Sequence, residues 1–546
     1  MHELLAGARP RAGKRLRSLA GEDGISMIIA LSAMFITSLV LVAAFTSSQG
    51  EIHLTSSDID AKKAYYAAQA GINDYLSHLI EEPNYLSYCT SPSPANPALN
   101  QAGETSNRVT LPGTEHEPTP ESYAIELIPA TTAPVSDRKC DPNNLVETMI
   151  EQTGTAAGSF RIESVGYAGP EQRTIVATFK NVGFVSFVWF TKYETFDPSV
   201  YGEPYRSECA AYYHSRPSSC FENNFFTTGE TVAGPVHTED HVGVCGTPVF
   251  GRSSSDHIEF GSREEESGEG FSTEGACSLA SPVFTGEHIP PEQVPELEPP
   301  PGDEELQHIV ESGYEFANRT EIVLKGETMS VTSGGKTELK AFPSNHLIYV
   351  SGGCTKSYSP FGPVPSYSED ASCGNVYVRG EYTQSLTIAA QNDLIIDGNL
   401  TGPNKEGTPT GTTMLGLIAN NFIRIYHPLS GTRGTRSGEC GSASNTAGDL
   451  FEPVIDAAIL ALKHAIMVDN YDCGAATLGN LNAHGALAGL FSNGSTGEFE
   501  GDGSLIHGYS WNLHYDTRLL AEEPPHFLNP VRAAWEIQRE TLATKP

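Results

Sequence analysis

The stretch ISMIIALSAMFITSLVLVAAFT, residues 25–46, runs for 22 positions without a charge. As a helix rising about 1.5 Å per residue it reaches roughly 33 Å, against a bilayer hydrocarbon core of about 30 Å. Arg9, Arg11, Lys14, Arg15 and Arg17 precede it, and Glu51, Asp58 and Asp60 follow it. The positive-inside rule then keeps a basic leader, residues 1–24, in the cytoplasm and sends the bulk of the chain outside. A cleaved secretory signal is the rival reading, since its n-region is basic as well. Its apolar region would be shorter, roughly 7–15 residues, and Ala43-Ala44-Phe45 is a poor cleavage box. The expectation is a single-pass membrane protein with its transmembrane helix at 25–46.

The helical pattern continues beyond that stretch. Tyr65, Ala68, Ile72, Tyr75, Leu76 and Leu79 recur mostly at three- and four-residue spacings, which predicts an amphipathic helix over 47–82. Gly71 inside it costs roughly 1 kcal/mol of helix propensity, a residue choice that points to close packing. Residues 83–122, rich in Pro, Asn, Ser and Thr, read as a linker. Strand patterns follow at 123–128, 160–165 and 174–179, the last two joined through Ala168-Gly169-Pro170 as a hairpin turn. They predict a small antiparallel sheet over 123–183, packed on the amphipathic helix.

From 184 to 528 the texture changes. Short strands recur at 374–380, 386–389, 394–396, 414–418 and 422–425, with Gly or Asn between them, as in Asn420-Asn421. Both residue types tolerate left-handed backbone angles and suit repeated corners. There is no exact repeat period, and a β-sandwich, the alternative, would alternate more cleanly with polar residues. The favoured fold class is mainly β with a long N-terminal α-helix, its extracellular domain a β-helix (solenoid). Residues 454–468 fit either a helix or a buried strand pair broken near Lys463-His464. Pro290 to Glu305 is a Pro- and acid-rich excursion, read as a surface loop or linker. Asn529 as N-cap, Pro530 at the first helical position and Val531, Ala534 and Trp535 on one face predict a C-terminal helix and tail over 529–546. Such a helix would cover the solenoid's exposed strand edge.

Composition narrows the function. Among 546 residues, 67 acids face 33 bases for a net charge of −34, and that surface repels phosphate backbones. Nucleic-acid partners are therefore not expected. Gly 53 and Pro 36 suit a turn-rich β protein. Ten cysteines, Cys89, Cys140, Cys209, Cys220, Cys245, Cys277, Cys354, Cys373, Cys440 and Cys473, contain no CxxC pair, against a zinc ribbon or thioredoxin-like chemistry. An even number in an exported, loop-rich chain favours five disulfides. Pairing neighbours (89–140, 209–220, 245–277, 354–373, 440–473) is the simplest of roughly 900 connectivities, and sequence alone does not choose among them.

Glu22-Asp23-Gly24-Ile25 ahead of the apolar helix resembles the processing region of type IV prepilins, where a basic leader ends in Gly and a peptidase cuts after it. By that resemblance Gly24 precedes the cut and Ile25 becomes the new N-terminus. The segment from Ala61 to Gly71 (AKKAYYAAQAG) resembles the region after the membrane helix in PilX-type minor pilins. Two positions depart from the pattern: Ile29 stands where major pilins carry a Glu that registers subunits, and Ile25 stands where Phe is usual. The missing Glu points to a minor component. The chain from about 184 onward is similar to large extracellular parts of uncharacterised bacterial pilin-like proteins, in Gly234-Pro-Val-His-Thr-Glu-Asp240, Leu386 to Asp393, Gly416 to Asn421 and Val468-Asp-Asn-Tyr471. The resemblance implies prepilin peptidase and other pilin-like subunits as partners, besides the membrane, and a pilus-associated place at the cell surface.

Other candidate chemistry is thin. His237-Thr-Glu-Asp-His241 is metal-like but lacks the HExxH order, and a hydrogen-bonded turn is the plainer reading. Asp469, Asp472 and Glu264-Glu265-Glu266 lack the spacing of a calcium loop and read as solvated faces. Asp393 and Asp397, with His514 and Asp516 further on, are what a β-helix polysaccharide lyase or hydrolase would use if they shared one groove. Asn318, Asn399 and Asn493 open short sequons. No GxSxG, P-loop or GxGxxG stands in proper context, so no cofactor, metal or catalytic residue is assigned. The sequence thus reads as a non-enzymatic pilin-like surface component for pilus assembly or adhesion. A permanently anchored adhesin or carbohydrate-binding protein is the alternative.

Overall fold

In the computed structural model the apolar stretch and the amphipathic segment form one continuous helix, α1, Asp23–Glu81. The structure describes residues 23–542 other than 83, 92, 101–105, 117–118, 132, 134–138, 152–157, 181–182, 202–206, 218–219, 221–224, 262–269, 274–276, 278, 292–293, 355–357, 362–370, 475, 493–495, 501–503 and 532–535; at 23–26, 44–56, 536–540 and 542 it describes the backbone alone. Among the described residues no helix is long and apolar enough to cross a membrane. The expected transmembrane helix at 25–46, and the single-pass anchoring built on it, are therefore not supported by the described residues.

The outer half of α1 lies on a six-stranded sheet. Its centre is Ser122–Ile128, Ser159–Ala168 and Glu171–Lys180, antiparallel throughout. Alternation along these strands turns Phe160, Ile162, Ile175, Ala177 and Phe179 to one face, where they meet Ala68, Ile72, Tyr75 and Leu79 of the helix. A sixth strand comes from the far end of the chain: Glu536–Leu542 pairs antiparallel with Glu171–Lys180, Ile537 opposite Phe179 and Leu542 opposite Ile175. The C-terminal helix expected over 529–546 is therefore a strand at 536–542. An open edge of unpaired N–H and C=O groups beside Glu171–Lys180 favours extended backbone over a short isolated helix. Ala534 and Trp535 lie outside the described residues.

The rest is mainly β, dominated by a sheet of 22 strands among the described residues. Parallel pairing keeps two ladders in register. In the first, Ile348, Ile388, Leu417, Ile459, Leu487, Trp189, Val236 and Ile258 stand in one line through successive strands. In the second, Leu400, Ile455, Ala483, Leu513, Val232, Phe250 and Phe284 do the same. All but Phe284 belong to the buried members of one apolar core, and each such Leu, Ile, Val or Phe contributes roughly 1.5–3 kcal/mol by burial. The segment 454–468 resolves as the strand pair Val454–Ala461 and Ile466–Val468, parted at Lys463 and His464.

The stack is not laid down in chain order. Trp189–Tyr193 pairs with Thr477–Phe491, and Thr231–Ala233 pairs with Leu505–Tyr515. Strands from 189 to 289 carry the stack away from that seam to one end, and strands from 315 to 515 build back from the other. A strap at 294–309 joins the two. Expected as a surface loop, it buries Val294, Leu297, Asp303 and Leu306. The seams it crosses close over residues remote in sequence.

Candidate functional site

Small residues set how closely α1 approaches its sheet. Ala64, Ala67 and Ala68 are fully buried. A Cβ on Gly166 would stand 2.0 Å from the Ala64 carbonyl oxygen and 2.3 Å from the Ala68 nitrogen, so only glycine fits beneath the helix. Gly71 makes the matching concession from the helix side, where a Cβ would lie 2.5 Å from Ser164 Oγ and 2.6 Å from the Tyr123 ring. Into this contact Ser164 Oγ donates to the Ala68 carbonyl at 2.8 Å, and Tyr123 Oη donates to Asp74 Oδ2 at 2.8 Å. Burial, then that hydrogen bond, push the Tyr123 phenol well up. Tyr75, fully buried against Phe160 and Tyr85, is raised by burial, and Tyr85 is pushed up to about 12 by the same cause. At the rim, Lys63 pairs with Glu121 at 3.0 Å and Ser57 Oγ donates to Glu171 at 2.8 Å.

Between 27 and 43 the described side chains of the helix are exposed. Met27, Ile28, Ile29, Leu31, Met34, Phe35, Ile36, Leu39, Val40, Leu41 and Val42 are each at least 55% exposed. At 100° per residue these positions point to every side of the helix, and not along one stripe. Gly24 and Ile25 fall in the first turn of α1, next to this surface. The basic residues before them lie outside the described residues.

All ten cysteines are placed. The bonds are Cys89–Cys140, Cys209–Cys220, Cys245–Cys277, Cys354–Cys373 and Cys440–Cys473, which is neighbour pairing. The first ties the helix–sheet unit; the other four lie within the larger β region. Among the described residues the one converging set of metal-ligand types is Cys440, Asp472 and Cys473, and its two sulfurs are already bonded to each other.

His237 and Thr238 end a strand, Val236–Thr238, rather than lying in the expected turn, and the chain bends at Glu239 and Asp240. His237 is buried, with Nδ1 2.6 Å from Glu259 and its ring stacked on Phe190. Glu239 accepts from Tyr212 Oη at 2.7 Å and from the Leu297 nitrogen at 2.8 Å. Asp240 pairs with Arg216 and accepts from the backbone nitrogens of Tyr213, His241 and Glu194. The carboxylates weighed for catalysis, Asp393, Asp397 and Asp516, go to different arginines, and Asp469 and Asp472, expected on solvated faces, are buried and paired as well. Asp393 and Asp469 share Arg424, Asp397 pairs with Arg379, Asp472 with Arg433, and Asp516 with Arg518. His514 Nε2 lies 3.1 Å from Asn512 Oδ1. Asn399 is exposed, whereas the sequon at Asn318 has its Thr320 buried; Asn493 and Glu264-Glu265-Glu266 lie outside the described residues.

Gly166, Ser164 and Tyr123 are the seat residues that the sequence reading missed. A glycine in the middle of an alternating strand was the available signal.

No family model matches the chain, and no curated protein matches it. Among solved structures, the competence-associated pilin ComZ from Thermus thermophilus is similar at 12% identity, over 89% of this chain and 98% of that one, with a TM-score of 0.27. A likeness at that level assigns no family.

Proposed function

We propose that this chain is a non-enzymatic, pilin-like surface subunit that joins a fibre through its N-terminal helix and displays a disulfide-bonded β-helix. The observation that carries the reading is the division of α1. The half beyond Asp58 is seated on a sheet by small residues, and the apolar side chains described between 27 and 42 are exposed on all sides of the helix. A helix apolar all round is stable only when enclosed on all sides. One flat partner would cover a single stripe, so a bundle of like helices from other pilin-like subunits is the fitting enclosure. The PilX-type resemblance supports the same reading: a prepilin peptidase would cut between Gly24 and Ile25, and Ile29 in place of Glu suits a minor subunit. The parallel, in-register ladders with disulfides support reading the larger region as a β-helix.

The experiment is to shear intact cells, collect filaments and determine the N-terminus of the protein recovered. Release with filaments and a start at Ile25 is the expected result. Retention on sheared cells with a start at Met1 would overturn it in favour of a permanently anchored adhesin.

A further inference from the structure

The strap at 294–309 is fastened to the first ladder at two places of different chemistry. At one, Lys192 Nζ pairs with Glu298 at 2.5 Å and the Leu297 nitrogen donates to Glu239 Oε1 at 2.8 Å. At the other sits Asp303, fully buried. Its Oδ1 accepts from Tyr349 Oη at 3.0 Å and from Asn420 Nδ2 at 2.7 Å, and its backbone nitrogen donates to Asn420 Oδ1 at 3.1 Å. Its Oδ2 is buried with no hydrogen-bond partner. Both donors are neutral, and no ion pair among the described residues includes Asp303. Leu297 and Leu306 join the core on either side of these fastenings.

A carboxylate in such a seat carries a full negative charge under apolar cover with half of its acceptor capacity unused, which is costly. Protonation puts the hydrogen on Oδ2, the oxygen without a donor, and leaves both bonds to Oδ1 intact. The charged groups around it do not offset the cost. Glu304 beside it on the strap repels it, Glu315 on the neighbouring strand faces Tyr349, and Lys463 beyond Val454–Ala461 attracts it from outside hydrogen-bond range.

We propose that Asp303 makes the strap a proton-operated clasp: as the neutral acid it seats the strap on the first ladder, and its ionisation loosens the strap. Burial, the largest cause, raises the closed-state pKa from 3.8 to about 6. The group therefore favours closure at low pH, and that contribution is lost as pH rises through about 6. With 3.8 in the open strap, opening rises about tenfold between pH 5 and 7.5.

The test is hydrogen exchange of the full-length protein, read by mass spectrometry on strap peptides and corrected for the intrinsic pH dependence of exchange. The expected result is about a tenfold loss of protection from pH 5 to 7.5, absent in Asp303→Asn. Tyr349→Phe removes a donor that favours the ionised form, so it should move the midpoint of the loss to higher pH. Equal protection of the wild type at both pH values would overturn the clasp. So would an undiminished loss in Asp303→Asn, or a Tyr349→Phe midpoint that stays or falls.

Discussion

Replacing Gly166 by Ala tests the seat of α1 at its tightest point. The new Cβ would sit 2.0 Å from the Ala64 carbonyl oxygen, 2.3 Å from the Ala68 nitrogen and 3.0 Å from the Ala67 carbonyl carbon, all backbone atoms. Ordinary contact begins near 3.4 Å, so the helix must retreat by roughly 1.4 Å at that point. A gap of that size forfeits more than half of the dispersion energy at Ala64, Ala67 and Ala68. It also stretches the 2.8 Å bond from Ser164 Oγ to the Ala68 carbonyl past hydrogen-bond range. Overpacking of this kind costs about 3 kcal/mol. At about 1.4 kcal/mol per factor of ten, amide protection of the helix between 64 and 79 should fall about 150-fold. Hydrogen exchange with mass spectrometry on peptides from that segment reads the change directly. Gly353→Ala is the control, because its Cβ would meet nothing within 4 Å, and it should stay within about 0.5 kcal/mol of the parent. Protection in Gly166→Ala within threefold of wild type would refute the argument that the strand glycine sets the helix–sheet distance.

Arg424→Met leaves Asp393 and Asp469 as buried carboxylates without their shared cation, and should cost about 3–5 kcal/mol in thermal or denaturant unfolding; an unchanged midpoint contradicts the network. Burial pushes Glu230 up to about 7, so its contribution to stability is present below the unfolded pKa near 4.5 and is lost as pH rises through about 7. The melting temperature should fall from pH 5.5 to 8.5, and fall less in Glu230→Gln; equal slopes in the two proteins would count against this. Thiol alkylation of the native protein should label no cysteine. Removing Cys89–Cys140, which closes a 51-residue separation, should cost about 4 kcal/mol as read by denaturant midpoint.

What the sequence made legible was local. The strands Ser122–Ile128, Ser159–Ala168 and Glu171–Lys180 announce themselves because one face of each is apolar at period two. Neighbour pairing of the cysteines held because each bond closes a loop within its own part of the chain. The segment 454–468 was ambiguous for a physical reason: Val454–Ala461 is buried on nearly every side chain, so it shows no periodicity to separate strand from helix. Asn529-Pro530 has the chemistry of a helix start, yet the partner that makes 536–542 a strand is some 360 residues away, and no local pattern encodes it. Pro- and acid-rich composition hid the strap, whose anchors are a few apolar residues, Glu298 and Asp303. Around His237 to His241, Glu259 meets His237, Arg216 meets Asp240 and Tyr212 meets Glu239, partners that no local pattern encodes.

The closing order of the stack has a consequence for synthesis. Thr231 waits for Asn512, and Phe179 for Ile537, so two sheets keep open edges until those late strands leave the ribosome. At roughly 5–20 residues per second the 281 positions between Thr231 and Asn512 take tens of seconds, with unpaired strands on offer to any other nascent chain throughout. A stop codon ahead of Glu536 would remove the strand that pairs with Glu171–Lys180 in the sheet under α1. The helix–sheet unit is thus completed by a strand made some 360 residues after its neighbour, and a product that stops short of it leaves Glu171–Lys180 as the bare edge.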